Sequence, residues 1–208
     1  MAQRGIGLAL LLVGSAAMAY EGRQGPVPQK VREQMTGVSW HPGCPVSFDE
    51  LALLDLPHWG FDGALHHGQL VVARSVAPVL LTVFVKLFEV KFPIERMALV
   101  DAYGGDDEKS MAANNSSGFN CRRVMGERRW SLHARGLAVD INPVQNPYLK
   151  AGRVYPPAAE SYLDRAEARP GMILRNDPVH AAFRSIGWKW GGLWLRGKDY
   201  QHFSTTGR

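Results

Sequence analysis

The sequence lacks internal repeats, low-complexity tracts and any basic run interleaved with aromatic residues. These absences give no support to a repeat architecture or to a nucleic-acid-binding surface. Charged residues make up 21% and hydrophobic residues 46% of the 208 positions, a balance that excludes a disordered or collagen-like chain. We therefore expect one compact globular domain once an N-terminal segment is set aside.

A hydrophobic run of membrane-spanning length is also missing. The N-terminal apolar run from Ile6 to Val13 follows Arg4, and small residues after it end at Ala19 in an Ala-x-Ala pattern. This arrangement is typical of an export signal, so we predict that residues 1–19 are a signal peptide, with an uncleaved anchor as the alternative. Of the formal net charge of +5, Arg4 contributes one, so cleavage leaves +4. That charge favours anionic polymers, among them bacterial envelope material.

Cysteine is scarce, with only Cys44 and Cys121 in the chain. An even number of cysteines in an exported protein is compatible with one disulfide that closes a long loop. Two buried free thiols are the alternative, because the sequence does not show whether the two Cα atoms lie close enough to be bridged.

Residues 20–50 are rich in glycine, proline and polar residues and show no sustained period, which indicates an N-terminal arm or linker before a domain over residues 51–208. A strand-like run follows at Gln69–Val72. Apolar residues from Val76 to Phe88 recur at helical spacing, and Ser75 precedes them as the predicted N-cap.

The segment after this helix predicts a short strand at 97–100 and then a polar loop from Tyr103 to Ser117. Near the C-terminus, Asp177 and Pro178 suit the first positions of a helix, and Gly187 suits the position just past its end. Short strands mixed with helices, without regular βαβ alternation, indicate an α+β domain.

Two segments carry the residues that predict chemistry. In the first, His133 precedes Asp140 by seven positions, a spacing that suits a loop followed by a strand, with Gly136 allowing the turn. Asp140 then lies in an otherwise apolar strand, where a carboxylate needs a cation or hydrogen-bond donors. In the second, Asp199 and His202 are three residues apart, a spacing that a tight turn can accommodate.

Two imidazoles and one carboxylate, from His133, Asp140 and His202, would give Zn²⁺ three protein ligands and leave one position for water. Asp199 would remain off the metal as the acid/base that activates the zinc-bound water. Arg122 is the candidate cation for stabilising an oxyanion. The alternative is that His133 is a loop histidine with a structural role and that Asp199 is an ordinary surface residue.

The two segments together resemble a known family. The pattern Ser131-x-His133-x-x-Gly136-x-Ala138-x-Asp140-Ile141-Asn142-Pro143, with Trp190-Gly191-Gly192-x-Trp194 and Asp199-Tyr200-x-His202-Phe203, is similar to the D-alanyl-D-alanine carboxypeptidase (VanY-like) group of M15 metallopeptidases. The resemblance covers residues 60–203.

The resemblance implies a hedgehog/DD-peptidase-like fold with a small antiparallel sheet flanked by helices, and a zinc peptidase that cuts peptidoglycan stem peptides. Carried over by position, the metal ligands are His133, Asp140 and His202, and the acid/base is Asp199. Arg122 matches the family arginine, although Arg123 is adjacent. Some members have glutamate where this chain has Asp199, which favours the L-alanyl-D-glutamate endopeptidase type without excluding the D-Ala-D-Ala carboxypeptidase type.

Further expectations follow for partners and for the remaining residues. We expect stem peptides as substrate, no nucleic acid, no membrane span after signal cleavage, a monomer, and a secreted or periplasmic location.

Adjacent His66 and His67 would face opposite sides of a strand and are predicted not to share a metal. Alternation predicts that Trp188, Trp190 and Trp194 fill the core, and the alternative is a role in gripping sugar or peptide. The competing functions are a non-catalytic zinc-stabilised cell-wall-binding module and a protein that binds anionic polymers by charge alone.

Overall fold

The computed structural model of the protein describes residues 19–124 and 126–207. The predicted export signal lies outside this range except for Ala19. Within the described residues, no helix combines the length and the apolar character that a membrane crossing requires. The described helices are α1 (Gln29–Met35), α2 (Ala77–Glu89), α3 (Asp107–Ala112) and α4 (Pro178–Ser185). The described strands are β1 (Arg23–Pro26), β2 (Leu51–Trp59), β3 (Leu65–Ala73), β4 (Arg96–Met97), β5 (Asn115–Ser116), β6 (Ala138–Asp140), β7 (Tyr148–Lys150), β8 (Arg153–Tyr155), β9 (Lys189–Trp190) and β10 (His202–Ser204).

A long antiparallel hairpin of β2 and β3 is the centre of the first sheet, which has the order β1-β2-β3. Alternate residues of the hairpin face opposite sides. Leu54 and Val72 belong to the larger apolar core beneath α2 and α4, whereas Leu51 and Val71 belong to a second cluster. Both faces of the hairpin are therefore covered.

The N-terminal arm covers the second face of the hairpin. β1 pairs with β2, and Val27 and Met35 are buried beside Leu51. Cys44 forms a disulfide with Cys121, with their Cα atoms 5.9 Å apart, so the pairing predicted as one alternative is present. β1 and α1 thus pack against the hairpin.

The two helices predicted with terminal signals are present. α4 begins after Asp177, whose side chain accepts a hydrogen bond from the backbone N–H of His180 at 2.7 Å, and Gly187 follows the helix at φ 81°. α2 begins one residue later than predicted, because its N-cap is Val76 and not Ser75. The buried residues of α2 lie on one side and pack on the hairpin and on α4.

The prediction of a strand at 97–100 and of a polar loop from Tyr103 to Ser117 is wrong in its details. β4 covers Arg96–Met97, and a 3-10 helix follows at Val100–Tyr103. The predicted loop contains α3, which is capped by Asp106, and β5, which pairs with β4. A six-residue helix is too short for a periodic signal, and short helices depend on tertiary packing.

A second small sheet has the order β6-β10-β9 and is antiparallel. Its apolar side, with Val139 and Phe203, joins the core under α4. The architecture is therefore a mixture of helices and small, mostly antiparallel sheets, as expected for the α+β class.

Candidate active site

The second sheet brings together residues that are far apart in sequence. Asp140 on β6 is the register partner of His202 on β10, so both side chains leave the same face of the sheet. His133 lies in a 3-10 turn that ends at Gly136, where φ is 65°. A Cβ at Gly136 would clash with the backbone of Ala73, whose N–H donates to the Gly136 carbonyl at 2.8 Å. The turn therefore packs directly against the end of β3.

His133, Asp140 and His202 form a buried triad of possible metal ligands. His133 Nε2 lies 3.1 Å from Asp140 Oδ2 and 3.2 Å from His202 Nδ1, and His202 Nδ1 lies 3.0 Å from Asp140 Oδ1. Zinc bonds of 2.0–2.2 Å in tetrahedral geometry place ligand atoms roughly 3.3 Å apart. The spacing of this group fits a small divalent cation with an open fourth position.

A backbone carbonyl group fixes the orientation of the His133 ring. Its Nδ1 lies 2.6 Å from the carbonyl oxygen of Gly118, which can only accept a hydrogen bond, so Nδ1 carries the proton. Nε2, the nitrogen that would bind a metal, then faces Asp140 and His202. Carbonyl groups that bind the second ring nitrogen orient metal-binding histidines in this way.

The charges of the triad influence one another. Burial alone would raise the pKa of Asp140, but the charge and hydrogen bond of His133 and the hydrogen bond of His202 hold it below its ordinary value. Burial opposes protonation of His133, yet Asp140 outweighs that effect and raises its pKa. The carboxylate thus remains ionised between two imidazoles, as a metal ligand must be.

Asp199 lies beside the triad in the turn before β10. Its backbone fits tightly against Gly191, because a Cβ there would lie 2.5 Å from the Asp199 carbonyl oxygen. Asp199 Oδ1 is buried and has no hydrogen-bond partner among the residues that the structure describes. Burial raises the pKa of Asp199 to about 7; His202 opposes this shift and Asp140 adds to it. A carboxyl group with such a pKa can both take and give a proton near neutral pH.

These residues line a cleft of about 540 Å³. Among the described residues, seven buried side-chain atoms lack a hydrogen-bond partner, and five of them belong to residues that line this cleft. The five are Arg122 Nε, Trp194 Nε1, Asp199 Oδ1, Gln201 Oε1 and His202 Nε2. Buried polar atoms are normally paired, so their concentration here marks a place where a ligand or ion binds.

The structure distinguishes Arg122 from its neighbour. Arg122 lines the cleft, and its Nη2 lies 2.6 Å from Asp107 Oδ2. The guanidinium of Arg123 instead lies over the ring of Trp130, at 4.4 Å from its centroid. Of these two adjacent arginines, Arg122 is therefore the one that lines the cleft.

Several residues that line the cleft are not predicted by any sequence pattern. Asp107 and Met111 come from α3, within the predicted loop, and Tyr148 and Lys150 come from β7. No motif marks them. β7 reaches the cleft through the bridge between Tyr148 and Asp199, and α3 through the contact of Met111 with Gln201.

One core prediction is wrong. Trp188 and Trp190 are buried in the core, but Trp194 is only half-buried and lies in the cleft, with its ring centroid 5.6 Å from that of His202. Strand β9 ends at Trp190, and Gly191–Leu193 form a 3-10 turn, so the alternation that placed Trp194 in the core does not extend to it.

The other conspicuous histidines lie elsewhere. His66 pairs with Asp62 at 3.0 Å, and His67 lies 3.7 Å from Asp55. Neither lines the cleft, and no possible metal group within residues 19–124 and 126–207 includes them. That they do not share a metal stays a prediction.

Comparison with known proteins supports the resemblance seen in the motifs. No curated protein and no solved structure matches the chain. A family model described as D-alanyl-D-alanine carboxypeptidase, in peptidase family M15, matches residues 125–205. The matched segment contains His133, Asp140, Asp199 and His202, whereas Arg122 lies just before it. This match, which covers less than half of the chain, supports an M15 family peptidase.

Proposed function

We propose that the protein is a zinc-dependent peptidase that hydrolyses peptidoglycan stem peptides. One observation carries this proposal: His133, Asp140 and His202 each offer one ligand atom, all within 4.8 Å of one another, beside the buried carboxyl group of Asp199. We further propose that the chain adopts the hedgehog/DD-peptidase-like fold that the family resemblance implies.

The donor set favours zinc. Two imidazole nitrogens and one carboxylate oxygen are typical ligands of catalytic zinc, and three protein ligands leave a position free. When bound, zinc supplies a Lewis acid that lowers the pKa of water to about 7 and polarises a carbonyl. His133, Asp140 and His202 are the residues that would hold it.

Asp199 acts as the acid/base. Its raised pKa suits a group that takes a proton from the attacking water and then passes it to the leaving amine. Asp199 lies close to the triad without belonging to the group of possible ligands, so its basicity is not consumed by a metal bond.

Arg122 stabilises developing negative charge on the scissile carbonyl oxygen. Its guanidinium reaches the cleft wall near the triad, and both its charge and that of Asp107 act on Asp199 and His133. A fixed cation in a site that excludes water stabilises such charge more than it would in bulk water.

We propose a location outside the cytoplasm, in the bacterial envelope or the medium. The substrate lies there, the N-terminal residues have the pattern of an export signal, and the Cys44–Cys121 disulfide suits an oxidising compartment. Fractionation of cells that express the full-length chain tests this placement, and recovery of uncleaved protein in the cytoplasm alone would contradict it.

The decisive test is digestion of purified peptidoglycan and of its soluble stem peptides by the zinc-loaded protein, followed by mass spectrometry. Loss of a terminal D-alanine identifies the carboxypeptidase type, and a cut between L-alanine and D-glutamate identifies the endopeptidase type. We expect one of these two products, abolished by a chelator and restored by zinc. Binding of the peptides without release of new amines would instead identify a non-catalytic wall-binding module.

A further inference from the structure

The contact between Asp107 and Arg122 connects α3 to the floor of the cleft. Arg122 Nη2 lies 2.6 Å from Asp107 Oδ2, and the two side chains are only 30% and 26% exposed. Both line the same cavity as the histidine–aspartate triad. A charge-assisted hydrogen bond this short, in a partly buried setting, restrains the guanidinium more than a surface ion pair does.

The backbone of Arg122 is fixed independently of that contact. Ser131 N–H donates to the Arg122 carbonyl at 3.0 Å, and Cys121 N–H donates to the Ser39 carbonyl at 2.9 Å. The disulfide to Cys44 anchors the preceding residue. The end of the arginine side chain, however, lies several rotatable bonds from this anchor, and its Nε has no partner among the described residues.

Hydrogen bonds and packing also hold α3, which carries Asp107, in place. Asp106 caps α3 by accepting from Lys109 N–H at 3.0 Å, and Ser110 Oγ accepts from Asn115 at 3.0 Å. Met111 lies one turn after Asp107 on the same side of the helix, is buried, and contacts Gln201 at 3.3 Å through its sulfur. The carboxylate of Asp107 therefore projects into the cleft from a fixed position.

We propose that Asp107 is a positioning residue, which holds the guanidinium of Arg122 where the substrate carbonyl is attacked. This inference rests on the proposed function, in which Arg122 stabilises the charge that develops on that oxygen. Asp107 also balances the charge of Arg122, so the pair adds no net charge beside the triad. Removal of Asp107 leaves Arg122 in the cleft but free to adopt other rotamers.

Kinetics with a stem peptide separate positioning from binding. We expect Asp107→Asn to lower kcat about tenfold to a hundredfold, because a misplacement of about 1 Å can cost that much, while KM changes by less than about threefold. Asp107→Glu, which retains the carboxylate, should recover most of the loss. Glu108→Gln is the matched control: it removes one negative charge from the next position of α3, which is exposed and outside the cleft.

A double-mutant cycle shows whether Asp107 acts through Arg122. If it does, Asp107→Asn has no further effect on kcat in the Arg122→Gln background, whereas independent effects would multiply. Each variant should bind one zinc ion per chain like the wild type. Should Asp107→Asn fail to fold, Asp107→Ser provides the same comparison.

The mobility of the Arg122 side chain can be measured on the zinc-free protein, without an activity assay. The NMR signal of the Arg122 Nε–H should report a restrained side chain in the wild type and in Glu108→Gln, and a mobile one in Asp107→Asn. Equal kcat values for Asp107→Asn and Glu108→Gln, or an unchanged Arg122 signal, would overturn the inference and leave the proposed function intact. A wild-type protein that cuts no stem peptide would overturn the proposed function, and the NMR comparison would still decide whether Asp107 restrains Arg122.

Discussion

Asp140 and His202 are register partners on β6 and β10, and Asp140 Oδ1 lies 3.0 Å from His202 Nδ1. Sixty-two residues separate them along the chain, so the antiparallel pairing of two three-residue strands is what places both on one face. His133 joins them from the turn before β6. A metal held here would be bound to three segments of the backbone, and its binding would be coupled to folding.

Zinc is therefore expected to stabilise the folded protein. At a free concentration one hundred times its Kd, a ligand of the folded state contributes about 2.7 kcal/mol. Zinc should raise the Tm of the wild type by several degrees, and Asp140→Ala should abolish both this shift and the bound zinc. Scanning calorimetry with and without chelator, together with metal analysis, checks the prediction. Asp164→Asn, at an exposed position, is the control, and a zinc-dependent Tm in Asp140→Ala would contradict the assignment.

Asp199→Asn should retain zinc and lose hydrolysis. The amide preserves the size of the side chain but cannot accept the proton from water, and the loss of a general acid/base lowers kcat by about 10²–10⁴. His202→Ala should lose zinc as well. Assays of amine release, with metal analysis of each variant, distinguish the two results. Normal turnover by Asp199→Asn would rule out its role as the acid/base.

Gly136→Ala should destabilise the protein and disturb His133. Gly136 has φ 65°, and an added Cβ would lie 2.8 Å from the Val72 carbonyl carbon. The backbone strain costs about 1–3 kcal/mol, and the clash adds to it. Gly63→Ala is the matched control, because Gly63 has φ 72° but no atom within 4 Å of the added Cβ. Urea unfolding should show a larger loss for Gly136→Ala, and equal losses would show that the close packing contributes nothing.

The burial of His58 should make the stability of the fold depend on pH. It is buried on β2, and burial lowers its pKa below 6.5. Because the unfolded chain takes up the proton first, the stability that neutral His58 contributes is complete above pH 6.5 and is lost as the pH falls below it, by up to about 1.4 kcal/mol per unit of pKa difference. The difference in unfolding free energy between wild type and His58→Gln should shrink from pH 7.5 to pH 5.5. A difference that is constant or grows would contradict the prediction, and His41→Gln, outside β2 and β3, is the control.

The disulfide should contribute strongly to stability. Cys44 and Cys121 are separated by 77 positions, and a cross-link over such a loop restricts the unfolded chain by an amount worth roughly 4 kcal/mol. The double variant Cys44→Ser/Cys121→Ser should lower the unfolding free energy by about that amount. Urea unfolding of the oxidised wild type, the reduced wild type and the double variant checks this, and equal midpoints for all three would contradict it.

The predictions from sequence succeeded where local chemistry carries the signal. Asp177 and Pro178 marked the start of α4, and Gly136 marked the turn between His133 and β6. Asp140 could be selected because a carboxylate in an apolar strand requires a partner, and the two histidines because of their spacing and the family resemblance. The arm was harder to predict, since β1 is stabilised mainly by its pairing with β2 and has no pattern of its own.

By itself, the sequence determined the metal-binding and acid/base candidates, helices α2 and α4, and the resemblance to M15 peptidases. These depend on residue type and on spacing within short segments. Only the tertiary structure decided which residues share the cleft. It brought Asp107 to Arg122, moved Trp194 from the predicted core to the side of His202, and joined Cys44 to Cys121. These contacts link segments distant in sequence, and they depend on how the hairpin, α3 and the second sheet pack, which no local pattern encodes.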